Sequence, residues 1–107
     1  MVLFLWLQKL RQLFSSLEIL YLFIASILHY LFFWGVLRAT EAADAQIVGA
    51  INFWYYWWTT VLTIGYGDLA PASLSGRLVT PFFEFTGVLL FMAWLAKTGI
   101  WLTDQIS

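Results

Sequence analysis

Residues 51–68 read INFWYYWWTTVLTIGYGD, and the fold turns on how this stretch is read. Its first twelve residues are too apolar and aromatic for a loop in water. Gly65, Gly67 and Asp68, with Pro71 just beyond, forbid extending that run as one spanning helix. Non-helical backbone survives at membrane depth only where it is buried in protein or lines a watery cavity. The pattern predicts a short helix over 51–62 that enters a membrane and an extended segment over 63–68 that leaves it.

The flanks supply the membrane. From Ile19 to Leu37 the chain carries no charge, and its only strongly polar residues are Ser26 and His29. These nineteen residues rise roughly 28 Å as a helix, close to the hydrocarbon thickness of about 30 Å. An outer helix is expected over 17–38, started by the S-x-x-E capping pattern of Ser15 and Glu18. It ends in the polar turret RATEAADAQ, residues 38–46. An inner helix is expected over 77–103, with Pro81 about a turn inside it, where a missing donor is tolerable. Lys97 stands near its far end, in reach of the interface by snorkelling. At the N-terminus Leu3, Trp6, Leu7, Leu10 and Phe14 recur at helical spacing, with Gln8, Lys9, Arg11 and Gln12 on the other side. That is an amphipathic interfacial helix over 2–14, or alternatively an early turn of the first span.

Composition agrees. Of 107 residues, 63% are hydrophobic and 10% charged, and the mean hydropathy is +0.85. Soluble domains carry about 25% charged residues, so eleven charges cannot cover a water-facing surface and the solvent is lipid. The length allows one domain. A net charge of −1 favours neither nucleic acid nor a strongly charged partner. Without cysteine, disulfides and thiolate metal sites are excluded. Seven Trp suit membrane interfaces. The early apolar run Val2 to Leu7 is short and its basic residues follow it, so it is read as working protein and not as a signal peptide.

Thr60-Val-Leu-Thr63-Ile-Gly-Tyr-Gly-Asp68 resembles the T-x-x-T-V-G-Y-G-D signature of potassium channels, with Ile64 for the usual valine. The Thr-Val-Gly-Tyr-Gly filter of those channels is itself the standard instance of selectivity by backbone carbonyls. The resemblance implies an all-α membrane protein: two transmembrane helices, a re-entrant pore helix and a selectivity-filter loop, assembled as a tetramer. The whole chain, 1–107, would be one ion-channel pore domain. Potassium ions would be coordinated along Thr63, Ile64, Gly65, Tyr66 and Gly67. A dehydrated ion needs oxygens around it, and carbonyls supply them without a charge that would trap it. Gly65 and Gly67 permit the positive φ that aims successive carbonyls at one axis. The Thr63 hydroxyl adds an oxygen at the inner end, while Ile64 and Tyr66 point away to pack on their own pore helix. One chain gives one strip, so a ring needs four copies: a homotetramer in a lipid bilayer.

The likeness covers most of the chain. Ala45-Gln46-Ile47 matches the turret end and Gly76-Arg77 the inner-helix start of bacterial two-helix channels. Asp68 matches the outer-mouth carboxylate that concentrates cations. Tyr55-Tyr56 takes the place of a Trp-Trp cuff, with Tyr56 expected to support Tyr66. Gly87 falls on the gating-hinge glycine, the alternative being a close helix contact. Val88, Phe91, Leu95 and Gly99 follow as cavity or gate residues along one helix face. Thr59, beside Thr60, stands where some members carry a glutamate behind the filter. Glu84 on the inner helix is expected to replace that brace, with Thr59 or Thr60 as partner, unless it reaches the outer headgroups about 10 Å from Arg77. His29 is expected to be packed or hydrogen-bonded and not a sensor.

Lys9 and Arg11 put the N-terminus in the cytoplasm, and two spans return the C-terminus there, in a multi-pass cell-membrane protein. The expected function is passive potassium flux, with no enzymatic activity, small-molecule substrate or nucleic-acid partner. A weakly selective channel would depart at Tyr66 or Gly67. A potassium transporter would carry four unlike pore loops in one long chain. A membrane enzyme would need convergent nucleophiles or paired carboxylates, and the membrane region offers one His and one Glu on different helices. Nothing in these residues names a gating stimulus.

Overall fold

Four α-helices follow one another in the computed structural model, which describes residues 1–15 and 17–106. They are α1 (Val2–Ser15), α2 (Leu17–Thr40), α3 (Ala50–Val61) and α4 (Leu74–Ile106), with one 3₁₀ turn at Gln46–Val48. At about 1.5 Å per residue α2 extends roughly 36 Å and α4 roughly 50 Å. Both are long and apolar enough to cross a membrane. The Ser15 side of the expected capping pattern lies outside the described residues, as do the side chains of Gln12 and Phe14.

The core sits where α2, α3 and α4 meet, and it is aromatic. Phe33 stacks on Phe83 at 4.5 Å and meets Phe53 edge-on at 5.5 Å, while Tyr30 meets Phe53 edge-on at 5.0 Å. Leu37, Ile47, Tyr56, Trp57 and Val61 complete the cluster. Offset and edge-to-face pairs add to the burial of each ring, so this junction fixes α3 against both long helices. Only 11% of the apolar window of either span is buried inside the chain. The rest faces outward, as a span requires if lipid or neighbouring subunits cover it.

α4 begins at Leu74, earlier than Arg77, because its first turn is capped from two sides. The Gly76 amide donates to Ser73 Oγ at 2.9 Å, the bond expected of an N-cap serine. Glu41, just past the end of α2, accepts from the amides of Ala72 (2.5 Å) and Ser73 (3.0 Å) and from the Ser73 hydroxyl. At the opposite end α4 is held more loosely. Trp94 donates to Ser26 Oγ at 3.0 Å, Lys97 pairs with Glu18, and Trp101 meets Trp6 edge-on.

Candidate ion-conduction site

The sequence from Thr63 to Gly67 leaves α3 by a bifurcated turn. Ile64 and Gly65 both donate their amides to the Thr59 carbonyl, at 2.8 and 3.0 Å, and Thr63 donates to Thr60 O. Beyond this anchor φ is positive at Thr63 (64°), Gly65 (59°) and Gly67 (79°). In an ordinary strand residue orientation alternates with a period of two. Inverting φ at every second residue cancels that alternation, so successive carbonyls can turn to one side. Gly65 and Gly67 adopt this at little cost, whereas Thr63 pays a penalty of about 1–2 kcal/mol. A Cβ added to Gly65 or Gly67 would meet nothing within 4 Å, so the backbone angle alone demands glycine there.

Side-chain support for the strip comes from one residue earlier than expected. Tyr55 stacks on Tyr66 at 6.2 Å with planes 2° apart, and its phenol interacts with Asp68. Tyr56, the expected partner, is turned about 100° round α3 and packs inward on Phe33 and Phe53. Ile64 (48% exposed) and Tyr66 (66% exposed) are only partly covered by α3 of their own chain.

The expected Glu84 brace is not built within the chain. The Thr59 hydroxyl donates to the Tyr56 carbonyl at 3.1 Å, one turn back on its own helix, and so needs no partner across the interface. Thr60 interacts with the Tyr56 phenol. Glu84 is exposed, with no hydrogen bond or ion pair among the described residues, and acts electrostatically on Tyr56 instead.

The expected hinge Gly87 and the four residues assigned to one face of α4 divide. Gly87 is buried, and a Cβ on it would meet Val61 Cγ2 at 2.9 Å and His29 Cε1 at 3.1 Å. The structure therefore gives Gly87 a close-contact role. Phe91 packs on the aromatic core and Val88 is half-buried, but Leu95 and Gly99 are exposed. Steps of four residues drift about 40° each round a helix, which carries the later positions off the packed side.

One feature, Glu41, lay outside the sequence reading, and a second, His29, was expected only to be packed or hydrogen-bonded, with no partners named. Glu41 is 7% exposed. Burial pushes its carboxyl up, but bonds from the Ser73 hydroxyl, the Ser73 and Ala72 amides and Thr40 outweigh this and hold it down at about 2. The second feature is the imidazole of His29, which touches α3 and α4 together. Its Nδ1 accepts from Trp57 Nε1 at 3.1 Å, and its Nε2 lies 2.9 Å from Phe83 O and 3.0 Å from Thr86 Oγ1.

A short aromatic helix, an anchored turn and a strip with alternating positive φ are set between two long apolar helices. A family described as "Ion channel" matches residues 16–104. The chain belongs to this ion-channel family. Three potassium-channel proteins resemble it over shorter stretches. Two pore potassium channel b of Oryza sativa subsp. japonica is 35% identical over 68 residues, covering 64% of this chain and 17% of the relative. Two-pore potassium channel 1 of Arabidopsis thaliana is 33% identical over 57 residues, or 53% and 16%. Potassium channel subfamily K member 5 of Homo sapiens is 42% identical over 41 residues, or 38% and 8%. The matched stretch spans less than a fifth of each relative's length. As a member of an ion-channel family the chain is a membrane protein and not an enzyme.

Proposed function

We propose that this ion channel is a potassium-selective pore built from four copies of the chain. α2 is then the outer helix, α3 a re-entrant pore helix, residues 63–68 the filter, α4 the inner helix and α1 an interfacial helix on the cytoplasmic side. The observation that carries this reading is positive φ at alternate residues, Thr63, Gly65 and Gly67, in a strip anchored on Thr59 O. Four such strips around an axis would offer rings of carbonyls from Thr63 to Gly67 that replace the hydration shell of potassium. Asp68 at the outer mouth would raise the local cation concentration. Both termini are then cytoplasmic, and the permeant ion is potassium.

Support for the oligomer comes from what one chain leaves uncovered. On α3 Ile51 is 82% exposed and Trp54 56% exposed, too much apolar surface for a pore helix seated alone. Gly87 remains the proposed pivot of α4, with Val88, Phe91, Leu95 and Gly99 following it towards the inner mouth. The test is a mass measurement on the flux-competent preparation in mild detergent, together with potassium flux from liposomes. A tetramer that passes potassium is expected; monomers or dimers that still conduct would overturn the reading.

A further inference from the structure

Among the polar groups at membrane depth is His29, the chain's one histidine, on the fourth turn of α2. Indole is a donor only, so the 3.1 Å bond from Trp57 Nε1 makes His29 Nδ1 an acceptor. The ring proton of the neutral imidazole must then sit on Nε2, where it faces Phe83 O at 2.9 Å and Thr86 Oγ1 at 3.0 Å. The Thr86 hydroxyl spends its own proton on the carbonyls of Phe82 and Phe83, leaving a lone pair toward the ring. Every polar site on the imidazole is thus engaged, and its tautomer is dictated by its neighbours.

The bonds join three helices at a point with consequences in two directions. Phe83 is one turn before Gly87 on α4, and the imidazole also lies against Gly87, where a Cβ would meet its Cε1 at 3.1 Å. Trp57 is on α3 two residues before Thr59, whose carbonyl anchors the Ile64 and Gly65 amides. A continuous chain of hydrogen bonds and rigid helix therefore runs from the inner helix through His29 and the pore helix to the base of the 63–67 strip. At membrane depth no water replaces a broken member, so the chain resists partial opening.

We propose that His29 is a positioning residue that couples the inner helix to the filter, its neutral Nε2–H tautomer setting the depth of α3 against α4. The inference rests on the pore reading above. It differs from a mere packing role in requiring a donor-acceptor pair on the side chain, not its volume.

Two measurements test it. Protein labelled with ¹⁵N-histidine gives one imidazole per subunit, expected to carry its proton on Nε2 with Nδ1 bare. Trp57→Phe should release that preference. Single-channel recordings then compare His29→Leu, Trp57→Phe, the double variant and His29→Gln. Each of the first two is expected to lengthen the time the filter spends non-conducting by about tenfold, the effect of one buried bond lost. The double variant should be no worse than either, where independent sites would give about a hundredfold. His29→Gln, which offers both a donor and an acceptor, should recover most of the loss. A parent that passes no potassium would sink the pore reading and the inference with it. A conducting parent with multiplicative variants, with no recovery by glutamine, or with its ring proton on Nδ1 would sink the inference alone. Should His29→Leu fail to assemble, the parent spectrum and the glutamine variant still decide.

Discussion

The two ends of α4 are held in opposite ways. The end that follows the 63–68 strip is clamped: Glu41 caps its first turn, Gly76, Thr80 and Gly87 are buried, and Phe83 stacks on Phe33. The far end is open. Leu95 is 55% exposed and Ile106 85% exposed, a Cβ added to Gly99 would meet nothing within 4 Å, and the Lys97–Glu18 pair lies at the surface, where such pairs contribute little. A rod clamped at one end and more loosely held at the other can swing about the boundary between them, and Gly87 stands at that boundary. The difference teaches that gating motion, if this chain gates through α4, belongs to the half beyond Gly87.

Breaking the clamp should have the largest effect. Glu41→Ala leaves the Ala72 and Ser73 amides without their charged acceptor and is expected to cost about 3 kcal/mol, the upper range for such a loss. Denaturation of the reconstituted or detergent-solubilised assembly measures it. The clamp should also depend on pH. The folded carboxyl is held at about 2 against an ordinary 4.5, so its stabilisation is complete above 4.5 and lost as pH falls towards 2. In Glu41→Gln that acid limb of the stability profile should flatten.

Glycine substitutions along α4 sharpen the contrast. Gly76→Ala drives a methyl into the Glu41 carboxylate and within 3.0 Å of Pro71 Cβ and Ser73 Oγ, at a cost of about 2 kcal/mol. Gly87→Ala should cost less, about 1 kcal/mol, because its nearest neighbour, Val61 Cγ2 at 2.9 Å, stands farther off than the Glu41 carboxylate does at Gly76. Gly99→Ala meets open space and should stabilise by about 0.5–1 kcal/mol through helix propensity. Thermal melts of the three side by side would dissolve the contrast if Gly76 and Gly99 responded alike.

The sequence is most legible where a residue's identity carries its physics. An uncharged run from Ile19 to Leu37 can be read as a span, and glycines at 65 and 67 can be read as positive φ, because few alternatives exist for either. Thr63 was opaque on the second count: threonine has no preference for the left-handed region, and only the anchored turn on Thr59 O imposes it. Tyr55 and Tyr56 differ by one step round a helix whose exact phase depends on packing against Phe33 and Phe53. Glu41 looked like one more turret charge, since its partners stand about thirty residues away. Ser73, three residues before Gly76, carries the identity of a helix cap, a signal that an expected start at 77 passes over. Within one chain the Glu84 brace is not formed, since the Thr59 hydroxyl bonds back on its own helix, a possibility that spacing does not exclude.

The most direct test of the proposed pore is its ionic preference. Reversal potentials of the reconstituted channel under bi-ionic conditions, potassium on one side and sodium on the other, should report potassium passing far more readily than sodium. Gly67→Ala should abolish that preference or the current itself, since alanine resists the 79° φ with no steric neighbour to blame. Equal permeabilities in the parent channel, or an unchanged preference in Gly67→Ala, would contradict a filter made of carbonyls from Thr63 to Gly67.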